Sequence, residues 1–289
     1  MKQSRKLSFL FTVIIYAAAL ALGLHVFDYV RGSVYFRVFA ADVAATLFLY
    51  LISLPLGNAS VYDPYWSVAP IVILPLCMAS FGAWNAGTIA LLGCVTYWGI
   101  RLTGNWAYTF HGYDHQDWRY TMLREKTGFL YPFVSLFGIM LFPTLVVFLC
   151  LLPALHYLQF GGINFITLLG FALCIGATTL QLIADVQLHR FQEQTQSRGE
   201  IIRSGVWRHA RHPNYLGEIL MWWGVYMVLV SVRFDLWYLG LGALVNTLMF
   251  LFISIPMAET RMAGYKEGFE RYVQETNKLL PIAIKREKA

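Results

Sequence analysis

Fifteen consecutive residues, Ser204 to Glu218 (SGVWRHARHPNYLGE), hold the chain's densest set of side chains able to do chemistry. Arg208, His209, Arg211, His212, Asn214, Tyr215 and Glu218 all fall there, and an apolar run from Ile219 to Val232 follows directly. Pro213 suits the first position of a helix, where its missing N–H costs nothing, so a helix is expected to start near His212. The N-terminus of such a helix offers N–H groups and the positive end of its dipole to an anion. Arg208 and Arg211 beside it suit bidentate contact with phosphate oxygens. Asn214 and Glu218 are four apart and share a helix face. An amide and a carboxylate together can hydrogen-bond an amide, a ribose or an amine. Glu218 lies inside the apolar boundary, where an ionisable group signals function. The plainer reading is a basic loop against lipid headgroups, with Asn214 as a cap and Glu218 paired to an arginine. The variety of polar types speaks for a ligand.

Other residues of this kind are scattered. In QLIADVQLHRF, Gln181, Asp185 and His189 recur at four-residue steps and so share a face. Asp185, deep in an apolar run, needs a partner: either a nearby arginine such as Arg190, or a ribose or amide of the ligand that Asn214 holds. Asp63 precedes Pro64 in SVYDPYWSVAP, and Tyr97 and Arg101 are four apart in TYWGIRLTGNW. A buried tyrosine beside a carboxylate or a cation can donate a proton or polarise a carbonyl, although tyrosine is also common at membrane interfaces. Asp42, flanked by alanines, is suited to pairing across helices. His25, His111, His115 and His156 have no partner at metal-ligand spacing and read as interface residues. No CxxC or HExxH occurs, and Cys77, Cys94, Cys150 and Cys174 sit inside apolar runs as small hydrophobes. No metal site is expected.

The elements that must position these residues are membrane helices. Of 289 residues, 58% are hydrophobic and 13% charged, where soluble domains carry about 25% charged residues. Mean hydropathy is +0.55. Apolar runs recur along the chain, several long enough to cross the roughly 30 Å hydrocarbon core. They are too continuous for barrel strands, so an all-α integral membrane fold is expected. Eight spans are expected: 7–26, 39–56, 66–81, 86–100, 131–152, 165–188, 213–232 and 236–256. The third and fourth are short enough to be tilted, broken or partly re-entrant. The basic start and the apolar run after it imitate a signal peptide, but some twenty apolar residues exceed a usual h-region, so a retained helix is expected. With eight spans both termini share one side, which receives nineteen of the Lys and Arg residues. The other side receives three, Arg31, Arg37 and Arg233, and this bias makes the termini cytoplasmic. The net charge of +6 belongs to helix ends and not to a basic face, which excludes a nucleic-acid partner. The expected organisation is one domain over 1–289, with an amphipathic surface helix in the tail stopped by Pro281.

These pieces resemble a known family. SGVWRHARHPNYLGE with Trp222 and Trp223, DPYWSVAP, YWGIRLTGNWAY, QDWRY at Gln116 to Tyr120, the Asp185 helix, and the Glu259–Tyr265–Tyr272 tail resemble the steroid 5-alpha-reductase family, and within it the bacterial multi-pass branch. The resemblance covers about 61–281 and leaves 1–60 as extra N-terminal helices. It implies an NADPH-dependent reductase saturating a carbon–carbon bond conjugated to a ketone, as in a 3-oxo-steroid or another enone lipid. It implies cofactor contacts at Asp185, Asn214, Glu218, Arg261 and Tyr265, with Arg208, Arg211, His212 and Tyr215 in the same set. Tyr97 and Asp63 match the family's carbonyl-polarising pair. Asp63 stands where mammalian members have a glutamate, with different flanking residues. A lipophilic substrate drawn from the bilayer, membrane lipids as surroundings, and a bacterial inner membrane are the implied partners and location. Isoprenylcysteine and phospholipid methyltransferases share an RHPxYxG core and a late glutamate, so an S-adenosylmethionine-dependent methyltransferase is the rival enzyme. A transporter or non-catalytic scaffold would call for internal repeats with broken helices at the midplane, and none is found.

Overall fold

The computed structural model describes residues 4–195, 197 and 199–281. Among them every regular element is helical. Backbone groups in lipid can be satisfied only inside the segment or in a closed barrel, and the continuous apolar runs select helices. Six stretches are long and apolar enough to cross a membrane: Arg5–Tyr29, Val34–Leu56, Ala59–Phe81, Trp118–Tyr157, Phe165–Gln194 and Phe234–Ala263. Helices also form at Ala86–Thr109 and Pro213–Val230, which are not among the six. Each of the eight expected spans therefore falls on a helix, in an integral membrane protein. Lys2, Arg198, Lys285, Arg286 and Lys288, which enter the charge count above, lie outside the described residues.

The chain divides into two compact units, Met1–Gly161 and Gly162–Ala289. The break falls at Gly161-Gly162.

In the first unit, α1 (Arg5–Tyr29) pairs with α2 (Val34–Leu56), and α3 (Tyr65–Phe81) with α4 (Ala86–Thr109). A near-continuous helical run follows, from α5 (Trp118–Thr127) through α6 (Tyr131–Val134) to α7 (Phe142–Tyr157). Its middle, Ser135–Leu141, is a π-helical turn. Pro143 lacks an N–H and its ring clashes with the carbonyl four residues earlier, at Ile139. Widening the ladder there lets the helix continue.

Two boundaries differ from expectation. The fourth helix runs to Thr109, nine residues past Ile100, so Arg101, Asn105 and Trp106 are helical and not in a loop. Asn85 starts it with a reciprocal capping box to Thr88. Arg5 Nη2 donates to the carbonyls of Ala107 and Tyr108 at 2.9 and 3.3 Å, satisfying groups a helix end leaves orphaned. The third helix is short but is preceded by a 3-10 turn, Ala59–Tyr62, that extends its reach.

In the second unit, α8 (Phe165–Gln194) packs along α9 (Pro213–Val230). Small residues bring the two backbones together, as membrane helix pairs require. A Cβ on Gly224 would stand 2.7 Å from Cys174 Sγ and 3.0 Å from Cys174 N. After α9 come α10 (Leu241–Met249), a π turn at Phe250–Ser254, α11 (Ile255–Ala263) and α12 (Phe269–Glu275). This π turn again precedes a proline, Pro256, and the same steric reason applies. The tail helix ends at Glu275 and not at Pro281, because the next residues pair their backbone with another segment.

Gly224→Ala is expected to lower the thermal midpoint, at a cost of about 1–3 kcal/mol from overpacking. Gly176→Ala, whose new methyl meets nothing within 4 Å, should hold or raise it through helix propensity. Equal midpoints in a detergent melt would contradict the close approach of α8 and α9.

Candidate functional site

The residues of the opening stretch are fixed by neighbours on three sides. Gly205 takes a positive φ of 58°, which turns the chain so that Val206 N donates to Gln187 Oε1 at 2.9 Å. Trp207 is buried, and its indole N–H donates to the Ala184 carbonyl at 3.0 Å. The stretch thus docks on the last turns of α8, beside Asp185. From the other side, Tyr272 donates its hydroxyl to the Trp207 carbonyl at 2.9 Å. Burial pushes the Tyr272 phenol up to about 12, so it stays a donor at neutral pH.

Pro213 begins α9, as expected, with His212 at the cap. Arg211 and His212 are both buried, at 6% and 4% exposure. Arg211 Nε donates to Glu259 Oε1 at 2.8 Å, and its Nη1 donates to the carbonyls of Val273 (3.1 Å) and Thr276. His212 Nε2 meets the same Glu259 oxygen at 3.0 Å. The backbone N–H groups of Arg211 and His212 donate to the carbonyls of Asn277 and Lys278. A guanidinium buried this far must spend its donors on protein acceptors, since an unpaired buried charge is costly.

The other residues keep more freedom. Arg208 is exposed. Asn214 is half-buried inside the first turn of α9, and its side-chain oxygen accepts from Tyr215 N at 3.0 Å; it does not cap the helix, whose cap position, His212, makes no side-chain cap bond. The Tyr215 ring stacks on His212 at 5.2 Å and lies 4.8 Å from Phe250. Glu218 is half-buried and accepts from the Trp222 indole at 3.0 Å.

On α8 the four-residue stripe extends further toward the C-terminus. Gln181, Asp185, His189 and Gln192 follow one face to Thr195, about 21 Å at 1.5 Å per residue. Gln181 is fully buried, and neither amide atom finds a hydrogen-bond partner in the protein. An unsatisfied buried amide costs about 1–3 kcal/mol and so marks a place for a ligand group or water. At its far end the stripe reaches a cavity of about 820 Å³ lined by Phe191, Gln192, Thr195, Ser197, Arg261, Tyr265 and Lys266. Arg261 and Tyr265 are thus placed against the end of α8. Lys266, its ammonium donating to the Glu200 carbonyl, has its pKa lowered by burial. Lys266 and Gln192 escaped the sequence reading, and Glu259 entered it only as part of the tail. Their one signal is position at the polar end of an apolar run, which many surface residues share.

In the first unit Asp63 accepts a hydrogen bond of 2.6 Å from a tyrosine hydroxyl, that of Tyr120 in QDWRY. The neighbouring Arg119 is held by Asp117 through two bonds of 2.9 Å. Tyr97 is half-buried on α4, one turn from Arg101. Asp42 does pair across helices: Tyr65 donates to it at 2.7 Å. The segment around Asp63 is the polar centre of this unit. Asn58 Nδ2 donates to the carbonyls of Tyr113 and His115, Tyr16 donates to the Val61 carbonyl, and the Tyr62 hydroxyl bonds Thr144 Oγ1. Among the described residues no cluster of His, Cys, Asp and Glu can hold a metal.

Arg211→Met should cost on the order of 3–5 kcal/mol, since it leaves Glu259 without its main partner in a largely buried site. The loss should appear as faster hydrogen exchange at residues 272–278. Arg208→Ala should change stability by less than about 0.5 kcal/mol. Unaltered protection of the tail in Arg211→Met would remove the arginine from its bridging role.

Comparison with known proteins comes down to one family. The chain belongs to the family described as "Protein of unknown function (DUF1295)", matched over residues 49–276, a family related to steroid 5-alpha-reductase-like proteins. No curated protein and no solved structure matches it.

Proposed function

We propose that this member of the family is a membrane-embedded, NADPH-dependent reductase acting on a conjugated carbon–carbon bond of a lipophilic enone. The observation that carries the reading is the polar face of α8, running from the orphaned amide of Gln181 through Asp185 to the cavity at Arg261, Tyr265 and Lys266. An elongated ligand with a hydrogen-bonding head and an anionic body fits such a track. The cavity's volume falls in the range of small-molecule and cofactor pockets, roughly 300–1,000 Å³.

In this reading Gln181 and Asp185 bind the uncharged amide and ribose groups. Asn214 and Glu218 flank them from α9. Arg261 and Lys266, with exposed Arg208, take phosphate oxygens, and Tyr265 supports a base by stacking. Arg211 and His212 hold the α9 start against Glu259, so their contribution is placement. The bound cofactor supplies a hydride. The chain's part is to orient the acceptor, exclude water and stabilise the oxygen where negative charge develops. That donor role falls to a tyrosine hydroxyl held by a carboxylate: Asp63 with Tyr97, the pair implied by resemblance, or with Tyr120, its hydrogen-bonded neighbour. S-Adenosylmethionine has one nucleoside and no phosphate, so a methyltransferase would offer the cationic end of the track a single carboxylate where NADPH offers several phosphate oxygens.

NADPH should raise the thermal midpoint of the purified protein, and S-adenosylmethionine should not. Arg261→Ala and Asp185→Asn should lose most of that shift. Tyr120→Phe and Tyr97→Phe should keep it, and the one that supplies the hydroxyl should slow reduction of a model enone about 100-fold, in line with general acid catalysis. Stabilisation by S-adenosylmethionine alone would replace the reductase with the methyltransferase.

We also propose eight spans with both termini cytoplasmic, in a bacterial inner membrane, on the strength of the Lys and Arg bias. Fusions of a reporter that fluoresces only in the cytoplasm should be bright after residues 112, 200 and 281 and dark after 32 and 161. The reverse pattern would overturn the topology.

A further inference from the structure

A second cavity, of about 440 Å³, lies wholly within the first unit. It is lined by the end of α2 and the turn after it (Ser53, Leu54, Gly57, Asn58), by Arg124 on α5, and by Phe129, Tyr131 and Ser135 of the run that follows. It is far larger than the roughly 30 Å³ share of one water, and it contains none of the residues assigned above.

Two polar groups line it, Arg124 and Tyr131. Arg124 is exposed on α5, with no carboxylate within ion-pair distance among the described residues. Its Nη2 donates to the Gly57 carbonyl at 2.7 Å, and its guanidinium sits 4.6 Å from the Tyr131 ring. Tyr131 is 8% exposed, and its hydroxyl lies among the side chains of Arg124, Gln116 and Ser135 with none at full hydrogen-bonding geometry. The cation–π contact accounts for the position of Arg124. It does not account for the void. A cation and a buried O–H donor beside one cavity call for an anionic acceptor such as a phosphate.

The rim says what carries that anion. Leu54 and Phe129 line the cavity and are 47% and 88% exposed, and Leu130 and Phe133 alongside are open as well. The site lies where α2 ends and where the apolar part of the Trp118–Tyr157 stretch begins, the depth of lipid headgroups. A soluble phosphate would have no use for that apolar collar. We propose that this cavity binds the headgroup phosphate of an anionic membrane lipid, with Arg124 and the Tyr131 hydroxyl on the phosphate and the acyl chains against Leu54, Phe129 and Phe133.

Native mass spectrometry of the full-length protein, titrated with dioleoyl phosphatidylglycerol, dioleoyl phosphatidylcholine or inorganic phosphate, tests this. The wild type should retain phosphatidylglycerol in preference to phosphatidylcholine. Arg124→Gln should weaken that binding about tenfold, the scale of a lost charge-assisted hydrogen bond. Tyr131→Phe, which removes one oxygen and keeps the ring, should weaken it several-fold with the lipid-free melting temperature unchanged, and it decides the matter if Arg124→Gln does not fold. Equal phosphatidylglycerol binding by wild type and Tyr131→Phe would overturn the site. So would equal retention of the two lipids, or displacement of phosphatidylglycerol by inorganic phosphate at matched concentration, which would make the ligand a soluble anion. None of these outcomes bears on the NADPH shift, so this site and the reductase reading stand or fall separately.

Discussion

A buried guanidinium has to be surrounded by acceptors, and that requirement organises the second unit. Arg211 draws in the carboxylate of Glu259 from α11 and the carbonyls of Val273 and Thr276 from the tail. Its own backbone N–H and that of His212 take two more tail carbonyls. The segment before α9, the end of α11 and the tail are thereby tied at one point. Trp207, Gly205 and Gln187 fasten the same segment to α8. The cavity is lined by the end of α8 and by Arg261, Tyr265 and Lys266 around the end of α11. A cation of this kind gives little net stability, but removing its partner would be severe. It is a device for placement more than for affinity.

The first unit solves a related problem without a central cation. Residues 58–67 carry a 3-10 turn and a Pro-started helix, and such irregular backbone in an apolar surrounding must have its polar groups met from elsewhere. Asn58, Ser60, Tyr62 and Asp63 each bond a different element, and Tyr16 reaches in from α1 to the Val61 carbonyl. The density of tyrosine here has a physical basis: one ring fills apolar space while its hydroxyl satisfies a distant acceptor. The same arrangement that stabilises the turn holds a carboxylate and a phenol in contact at Asp63 and Tyr120. Structure and chemistry are therefore not separable at this place, and a change to Asp63 touches both.

The helices themselves were legible from hydropathy, because the bilayer leaves backbone so few choices. The start at Pro213 was legible from the chemistry of one residue. The end of α4 was not, since the polar residues after Ile100 say nothing about whether the helix stops, and Arg5 supplies the cap from a hundred residues away. The tail helix was cut short for a similar reason: the carbonyls of Asn277 and Lys278 are wanted by Arg211 and His212.

What the sequence by itself determined is a helical membrane protein with its polar chemistry in three segments, around Asp185, Ser204 to Glu218, and the tail from Glu259. Periodicity put Gln181, Asp185 and His189 on one face, because helix geometry is local. The partners were decided only in three dimensions. In SGVWRHARHPNYLGE, Arg208 and Arg211 look alike as neighbours in a basic loop, yet one is exposed and the other is enclosed by Glu259 and the tail. The hydroxyl that donates to Asp63 comes from Tyr120, fifty-seven residues away. Which charge is buried, and against what, depends on contacts between distant segments, and residue type and spacing carry no record of those.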